Sequence, residues 1–373
     1  MDNKDNLLLN KESKNSFVLS KHKKEIAKII NYKSSFQLFW SRFFSKKINY
    51  FWLAIFISFI LMIICISSIA FLLNYSPHKP VLDSDLSANL PNYYSPVVSR
   101  KFFTDSPILK IIRENNELHS GIIKSSLNVN DYVILDYDPY ALIKSLSGKN
   151  YYFLFGTNTL KIDRFSFFVY SFLVTIALSL TAIFLQYLLG TFLGSIIGFY
   201  SNKMSSKISY YIFSSINIFP FLIINIIFFK ILGYSFVNAV IILSIFGSIS
   251  FFYIAYANTL DLKNKEFIFA YRSFGASSSS WILMHIVFVE NLWLNITLIS
   301  DNLSLNMLVL AALSFFNIKN VEESLNIGNV FKDLVTDLTN ISYTIFVVLI
   351  TSLFIIVNKI FSIIMYRTSR VRE

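Results

Sequence analysis

Long apolar stretches without charge alternate with short polar ones along most of the chain. They run from Ile48 to about Ser76, from Phe165 to Asn202 and from Ile208 to Phe229. A fourth follows Lys230 and ends at Leu260, and a fifth lies between Glu290 and Lys319 with Asp301 inside it. The sixth runs from about Asn340 past Lys359 to Tyr366. About 20 mostly apolar residues cross a hydrocarbon core of roughly 30 Å. The pattern therefore predicts six transmembrane helices. The second is too long for the bilayer at about 1.5 Å per residue, so its first part is expected along the interface. The segment from Pro77 to Arg164 breaks the pattern. It mixes polar and apolar positions, with a strand-like patch at Tyr132–Tyr137. It reads equally as a small domain held by packing alone, suited to docking an external partner, and as a loop folded over the membrane portion.

Composition sharpens this picture. The chain is 54% hydrophobic and 15% charged, where soluble domains carry about 25% charged residues. A soluble enzyme is excluded on that ground, and the hydrophobicity excludes disorder for most of the chain. The net charge of +11 is unevenly spread. The first 47 residues hold 11 Lys+Arg against 4 Asp+Glu, which places them in the cytoplasm by the positive-inside bias. Six spans then return Arg367, Arg370 and Arg372 to the same side. The loop at Lys203 and Lys207 and the loop from Asp261 to Glu290 are cytoplasmic, and Pro77–Arg164 and Asn317–Thr339 lie outside. The polar tail and overlong first apolar run predict a retained anchor rather than a cleaved signal. The expected organisation is a basic tail at 1–47, a first helix at 48–76 and an extracytoplasmic segment at 77–164. A five-helix body at 165–366 holding a loop at 261–290, and a tail at 367–373, complete it.

Candidate chemistry is sparse. A lone Cys65 permits neither a disulfide framework nor a cysteine metal site. His22, His78, His119 and His285 have no metal-like spacing, and Ser314 lacks the glycines of a nucleophile elbow. The sequence has no Gly-x4-Gly-Lys-Ser/Thr phosphate loop. No catalytic residue, no metal and no nucleic-acid partner is expected. Three features concern helices. Gly190, Gly194 and Gly198 repeat every four residues, one face of a helix where a neighbouring backbone can approach closely, within the chain or from a second chain. Pro220 is expected to kink the third span. Asp301 would line a solute path, pair with Lys230, or mark a fifth helix beginning near Asn302. Asn225 and Asn238 are further candidates for a polar path.

The loop after the fourth span is the most informative. Glu266 to Phe274 has helical apolar spacing at Phe267, Ala270, Tyr271 and Phe274, Gly275 suits a left-handed cap, and Ser277 can start the next helix. The expected product is a compact helix–turn–helix knob, fit for a groove on another protein. The same residues resemble the signature loop of ABC importer permeases. Glu266, Ala270, Arg272, Gly275, Ala276 and Ser277 match that pattern, and His285–Ile286 match the oligopeptide/dipeptide branch. Tyr271 stands where a second alanine is usual, and Phe288 where a proline is. Other stretches resemble the same branch in the same order. These are Gly156–Leu160 with Asp163 and Phe165–Ser166, Gly190–Tyr200, Pro220 with Gly233, Ala311–Phe316 and Ile327–Val330. Phe36–Ala54 is similar to the start of the C-type subunit.

The resemblance implies an all-α integral membrane protein with a type I ABC importer permease core and an extracytoplasmic insertion between helices 1 and 2. It implies a bacterial plasma-membrane permease subunit that works with a second permease, two cytoplasmic ATPases and an external substrate-binding protein to import oligopeptides or dipeptides. ATP and Mg would be bound by the partner ATPases and no cofactor by this chain. Glu266, Ala270, Tyr271, Arg272, Gly275, Ala276 and Ser277 would seat in the ATPase. The competing reading is an ion channel or secondary transporter of small solutes without ATPase partners, although no internal repeat supports it.

Overall fold

The computed structural model describes residues 35–82, 85–129, 131–273, 279–337 and 340–369. Residues 1–45 and 46–373 are separate compact units. In the first, α1 (Ser35–Ser45) carries an aromatic ladder in which Trp40 and Phe44 stack at 5.5 Å.

In the second unit, α2 (Lys47–Leu73) is the first apolar span and ends at Asn74, whose φ of 51° is left-handed. The second span is one continuous helix, α5 (Arg164–Phe199), of 36 residues. Its first six residues, Arg164 to Val169, are all buried, so the expected interfacial segment is instead the packed outer end of the same helix. Asp163 starts it, with Oδ2 accepting from the Ser166 N–H at 2.9 Å. The third apolar stretch is broken. Helices α6 (Met204–Asn217) and α7 (Phe221–Leu232) meet at 89°, with Pro220 as the residue before α7. The fourth span is α8 (Phe236–Leu262), started by Ser235, whose hydroxyl accepts from the Asn238 N–H at 3.1 Å. Beyond it lie the short α9 (Glu266–Ser273) and one turn at Ser279–Ile282. The fifth span, α10 (Leu283–Leu313), opens with a π turn at Leu283–Val287 and tightens to 3-10 at Ile296–Leu298. Helix α11 (Ile327–Thr336) precedes α12 (Ile341–Ser369). Five described helices are long and apolar enough to cross a membrane, and the bent α6–α7 pair would be a sixth span.

The segment between the first two spans corrects the all-α expectation. It forms β1 (Val98–Phe103), α3 (Pro107–Leu118), β2 (Ile123–Val129), β3 (Tyr132–Tyr137) and α4 (Pro139–Ser147). The three strands make an antiparallel sheet in the order β1-β3-β2. The cause is local. Along β3 the alternate residues Val133, Leu135 and Tyr137 are buried, and they pack with Leu109 and Ile112 of α3 and Leu142 of α4. Full burial of each such aliphatic side chain contributes about 1.5–3 kcal/mol. Asp138 starts α4, accepting from the Tyr140 and Ala141 N–H groups at 2.9 and 3.2 Å, with Pro139 in the first turn.

Two clasps hold this domain to the spans. Thr157 Oγ1 donates to the Ser87 carbonyl at 2.6 Å and accepts from the Leu90 N–H at 3.0 Å. Asn340 Nδ2 donates to Asn92 Oδ1 and the Phe155 carbonyl, both at 2.8 Å, at the start of α12. Gly156 lies between them with φ of 73°, and a Cβ there would sit 1.9 Å from the Leu90 carbonyl oxygen. Glycine is required by both conformation and space.

Candidate functional site

The knob is built on one buried residue. Ile268 of α9 is fully buried with Leu262 at the end of α8 and with Ile282, Leu283 and Val287 where α10 begins. Ile196, Phe199 and Tyr200 at the end of α5 pack around them. Lys263 Nζ adds a 2.5 Å bond to Ser201 Oγ. A helix of eight residues has little stability of its own, so its order comes from this packing. The residue that anchors the knob is therefore Ile268, which the helical apolar spacing did not single out. Ala270 is exposed, as are Glu266 and Phe269. The side chains of Phe267, Tyr271 and Arg272 lie outside the described set, and Gly275, Ala276 and Ser277 lie outside the described residues.

Beyond the knob, α10 carries a polar seam between α5 and α8. Asn291 Nδ2 donates to Ser195 Oγ and Thr259 Oγ1, both at 2.7 Å, while its Oδ1 accepts from Asn258 at 2.7 Å. One turn on, Asn295 Nδ2 donates to Thr191 Oγ1 at 2.7 Å and the Phe251 carbonyl at 3.1 Å. Asn302 Oδ1 accepts from Ser250 at 2.9 Å, and Asn306 Oδ1 accepts from Gln186 Nε2 at 3.0 Å. All four asparagines are buried. Their spacing of four, seven and four residues places them on one helix face. The sequence reading missed this ladder. Its signal was the recurrence of Asn at helical spacing inside an apolar stretch.

The same seam explains the glycines. A Cβ at Gly190 would lie 2.2 Å from the Ser248 carbonyl oxygen, at Gly194 2.5 Å from that of Phe252, and at Gly198 2.9 Å from Thr259 Cβ. All three face α8, so the close approach is within the chain. On α8, Gly247 leaves room for Gln186, whose Cδ would be 2.3 Å from an added Cβ.

The other predicted residues are dispersed. Asn225 is buried in α7 and donates to the Phe221 carbonyl at 2.6 Å. Asn238 caps α7 from outside, donating to the Leu232 and Gly233 carbonyls at 3.1 and 3.3 Å. Asp301 pairs with Lys359 of α12, not with Lys230. It lies in the third residue of a regular helical stretch, Ile299–Leu313, inside α10 rather than before its start.

The end of α5 opposite the knob has its own polar centre. Arg164 is buried and reaches Asp333 Oδ2 at 3.3 Å and Asp337. Burial pushes the Asp333 carboxyl above its usual range, and the Arg164 guanidinium only partly offsets this. Burial also pushes Asp163 up to about 6, against the lowering effect of its bonds to Ser166. Beside these groups lies a cleft of about 670 Å3, lined by Asn89–Asn92 of the segment before β1, by Arg164 and Asp337, and by Asn340–Ser342. Two further stretches that stood apart in the sequence also meet. Ser314 Oγ bonds Asn329 Oδ1 at 2.7 Å, and a Cβ at Gly328 would lie 2.6 Å from that hydroxyl. Asn329 Nδ2 then closes the loop on the Val321 and Ser324 carbonyls, both at 2.8 Å.

Among the described residues no group of His, Cys, Asp or Glu is placed to hold a metal. An exposed knob is fixed to α10, and α10 is cross-bonded to α5 and α8. Residues 190–370 match the family of binding-protein-dependent transport system inner membrane components. Over those residues the chain is similar to the permease domain of ABC importers. The match begins at Gly190, the first of the seam glycines, and takes in the knob, α10 and all of α12. No curated protein sequence matches the chain. A permease of this family is a multi-pass transport component, with the ATPases and the substrate-binding protein as separate partners.

Proposed function

We propose that this permease is the C-type member of a heterodimeric pair that carries oligopeptides or dipeptides across the plasma membrane, with both termini in the cytoplasm. The 261–290 loop is its contact with the cytoplasmic ATPases. One observation carries the reading: α9 is clipped by Ile268 to the ends of α5, α8 and α10, while Glu266, Phe269 and Ala270 stand exposed. An ATPase subunit closing around that exposed face would pull α10 and, through Asn291 and Asn295, the α5–α8 pair. The spans then act as a two-state element biased from both sides of the membrane. Ala276 and Ser277, with Gly275, complete the contact, and ATP and Mg bind only in the partners.

The peptide substrate rests on the resemblance of His285–Ile286, Ala311–Phe316 and Ile327–Val330 to the oligopeptide/dipeptide branch. Two of those stretches are bonded to each other through Ser314 and Asn329. The test is affinity purification of the chain from gently solubilised membranes, with the co-purifying proteins identified and ATP hydrolysis followed on adding peptide and binding protein. Two ATPases, a second permease and peptide-stimulated hydrolysis are expected. A preparation holding neither ATPase overturns the coupling, and hydrolysis that answers to another solute overturns the peptide assignment.

A further inference from the structure

One ion pair sits deep within the helical body. Asp301 of α10 and Lys359 of α12 form it. Its depth follows from the next residue: Asn302 bonds Ser250, the fifteenth of the 27 residues of α8. Asp301 is the nineteenth residue of 31 in α10, and Lys359 the nineteenth of 29 in α12. At about 1.5 Å per residue, both lie more than about 12 Å from either end of their helices. Their side chains are nevertheless 48% and 46% exposed.

Hydrocarbon is a poor neighbour for such a pair, because ionised side chains in a span face a protein interior or water. The surroundings separate those two. Thr297, Asp301 and Ser304 follow one another at i, i+4 and i+7 and so share a face of α10. Ser352 lies seven residues before Lys359 and is exposed on α12. The three hydroxyls are satisfied by carbonyls of their own helices, at 3.1 Å for Thr297, 3.0 Å for Ser304 and 3.0 Å for Ser352. The ion pair is neutral in sum and offers a neighbouring protein no net charge to answer. Drying its open side against another chain would cost several kcal/mol per ion. An aqueous groove imposes no such cost.

We propose that this strip lines the aqueous passage, and that Asp301 and Lys359 form a station for a zwitterionic solute, its ammonium on Asp301 and its carboxylate on Lys359. This rests on the importer reading above and gives the chemical class of its cargo. A peptide with free termini meets it; an uncharged solute does not.

The experiment uses the complete complex in vesicles, with Cys65→Ser removing the one native thiol. Thr297→Cys, Ser304→Cys and Ser352→Cys are introduced singly and treated with a charged, membrane-impermeant thiol reagent. All three are expected to react, and a zwitterionic tripeptide added during turnover is expected to slow the reaction by about tenfold, the scale of one charge-assisted bond. Asp301→Asn and Lys359→Gln are expected to abolish that protection, and Asp301→Glu or Lys359→Arg to keep it. Thiols that stay unreactive, or that cross-link to the second permease instead, overturn the passage. Reactive thiols that the tripeptide does not protect overturn the station. Failure to recover ATPases in the purification sinks the importer reading and is independent of thiol reactivity.

Discussion

Two of the spans show opposite solutions to living in lipid. Half of the apolar window of α5, and 56% of that of α8, is buried inside the protein, against 11% for α2. With a mean hydropathy of 2.8, α2 is more apolar than α5 at 2.2 or α8 at 2.1, so hydrophobicity alone does not choose the core helices. Small residues and amides do. Gly190, Gly194 and Gly198 bring α5 against the backbone of α8, and the asparagines of α10 bond across the pair. Helix α2 has no glycine, and its serines Ser58, Ser67 and Ser68 bond carbonyls of their own helix. Where lipid is as apolar as leucine, close packing and hydrogen bonds choose partners.

The largest break in this comparison is Gly194→Leu. Its Cβ would meet the Phe252 backbone oxygen at 2.5 Å, a group that cannot rotate away. The helices must part, and we expect a loss of about 3 kcal/mol or more, read as loss of the monodisperse folded species in detergent. Next comes Arg164→Met, which leaves Asp333 buried without its cation. The expected loss is about 3–5 kcal/mol, with much of it recovered on adding Asp333→Asn, measured by thermal unfolding in detergent.

Asp163 gives a prediction in pH. Its folded carboxyl is raised to about 6 from 3.8, so the folded state holds the proton more tightly than the unfolded one. The associated stability is present below about 4 and is lost as pH rises through about 6, by about 3 kcal/mol in all. Asp163→Asn keeps a capping oxygen for Ser166 and should flatten that part of the unfolding profile between pH 4 and 7. A smaller effect is expected at Asn291→Ala, about 1 kcal/mol by the same unfolding assay, since bonds between membrane helices average less than their number suggests. Leu72→Ala on α2 is the control. At 84% exposed it should shift stability by no more than about 0.5 kcal/mol.

Much of this was legible in the residues. Charge-free runs marked most of the long helices to within about five positions, although the fifth begins earlier than expected, at Leu283; Pro220 marked the break in the third, and the glycine stripe marked a close-packed face. Tyr132–Tyr137 alternated as β3 does. What escaped notice depended on distant partners. Burial along β2 does not alternate: beyond Ile123 it is exposed on both faces and is held by pairing with β3. Lys359 lies 58 residues from Asp301, and nothing in the local pattern prefers it to Lys230. In the knob, the helical apolar spacing did not single out Ile268, the residue that anchors it. Ile268 is chosen by the ends of three other helices, which no window of nine residues contains.

The central claim is that α9 couples this permease to an ATPase. The most direct measurement places a single cysteine at its exposed face, Ala270→Cys in the Cys65→Ser background, and oxidises the complex in native membranes. The account predicts a disulfide-linked or short-linker adduct between this chain and a cytoplasmic ATPase subunit, whose yield changes when ATP is bound. A thiol that reacts freely with small reagents yet never joins an ATPase, in membranes where the complex is active, would contradict it.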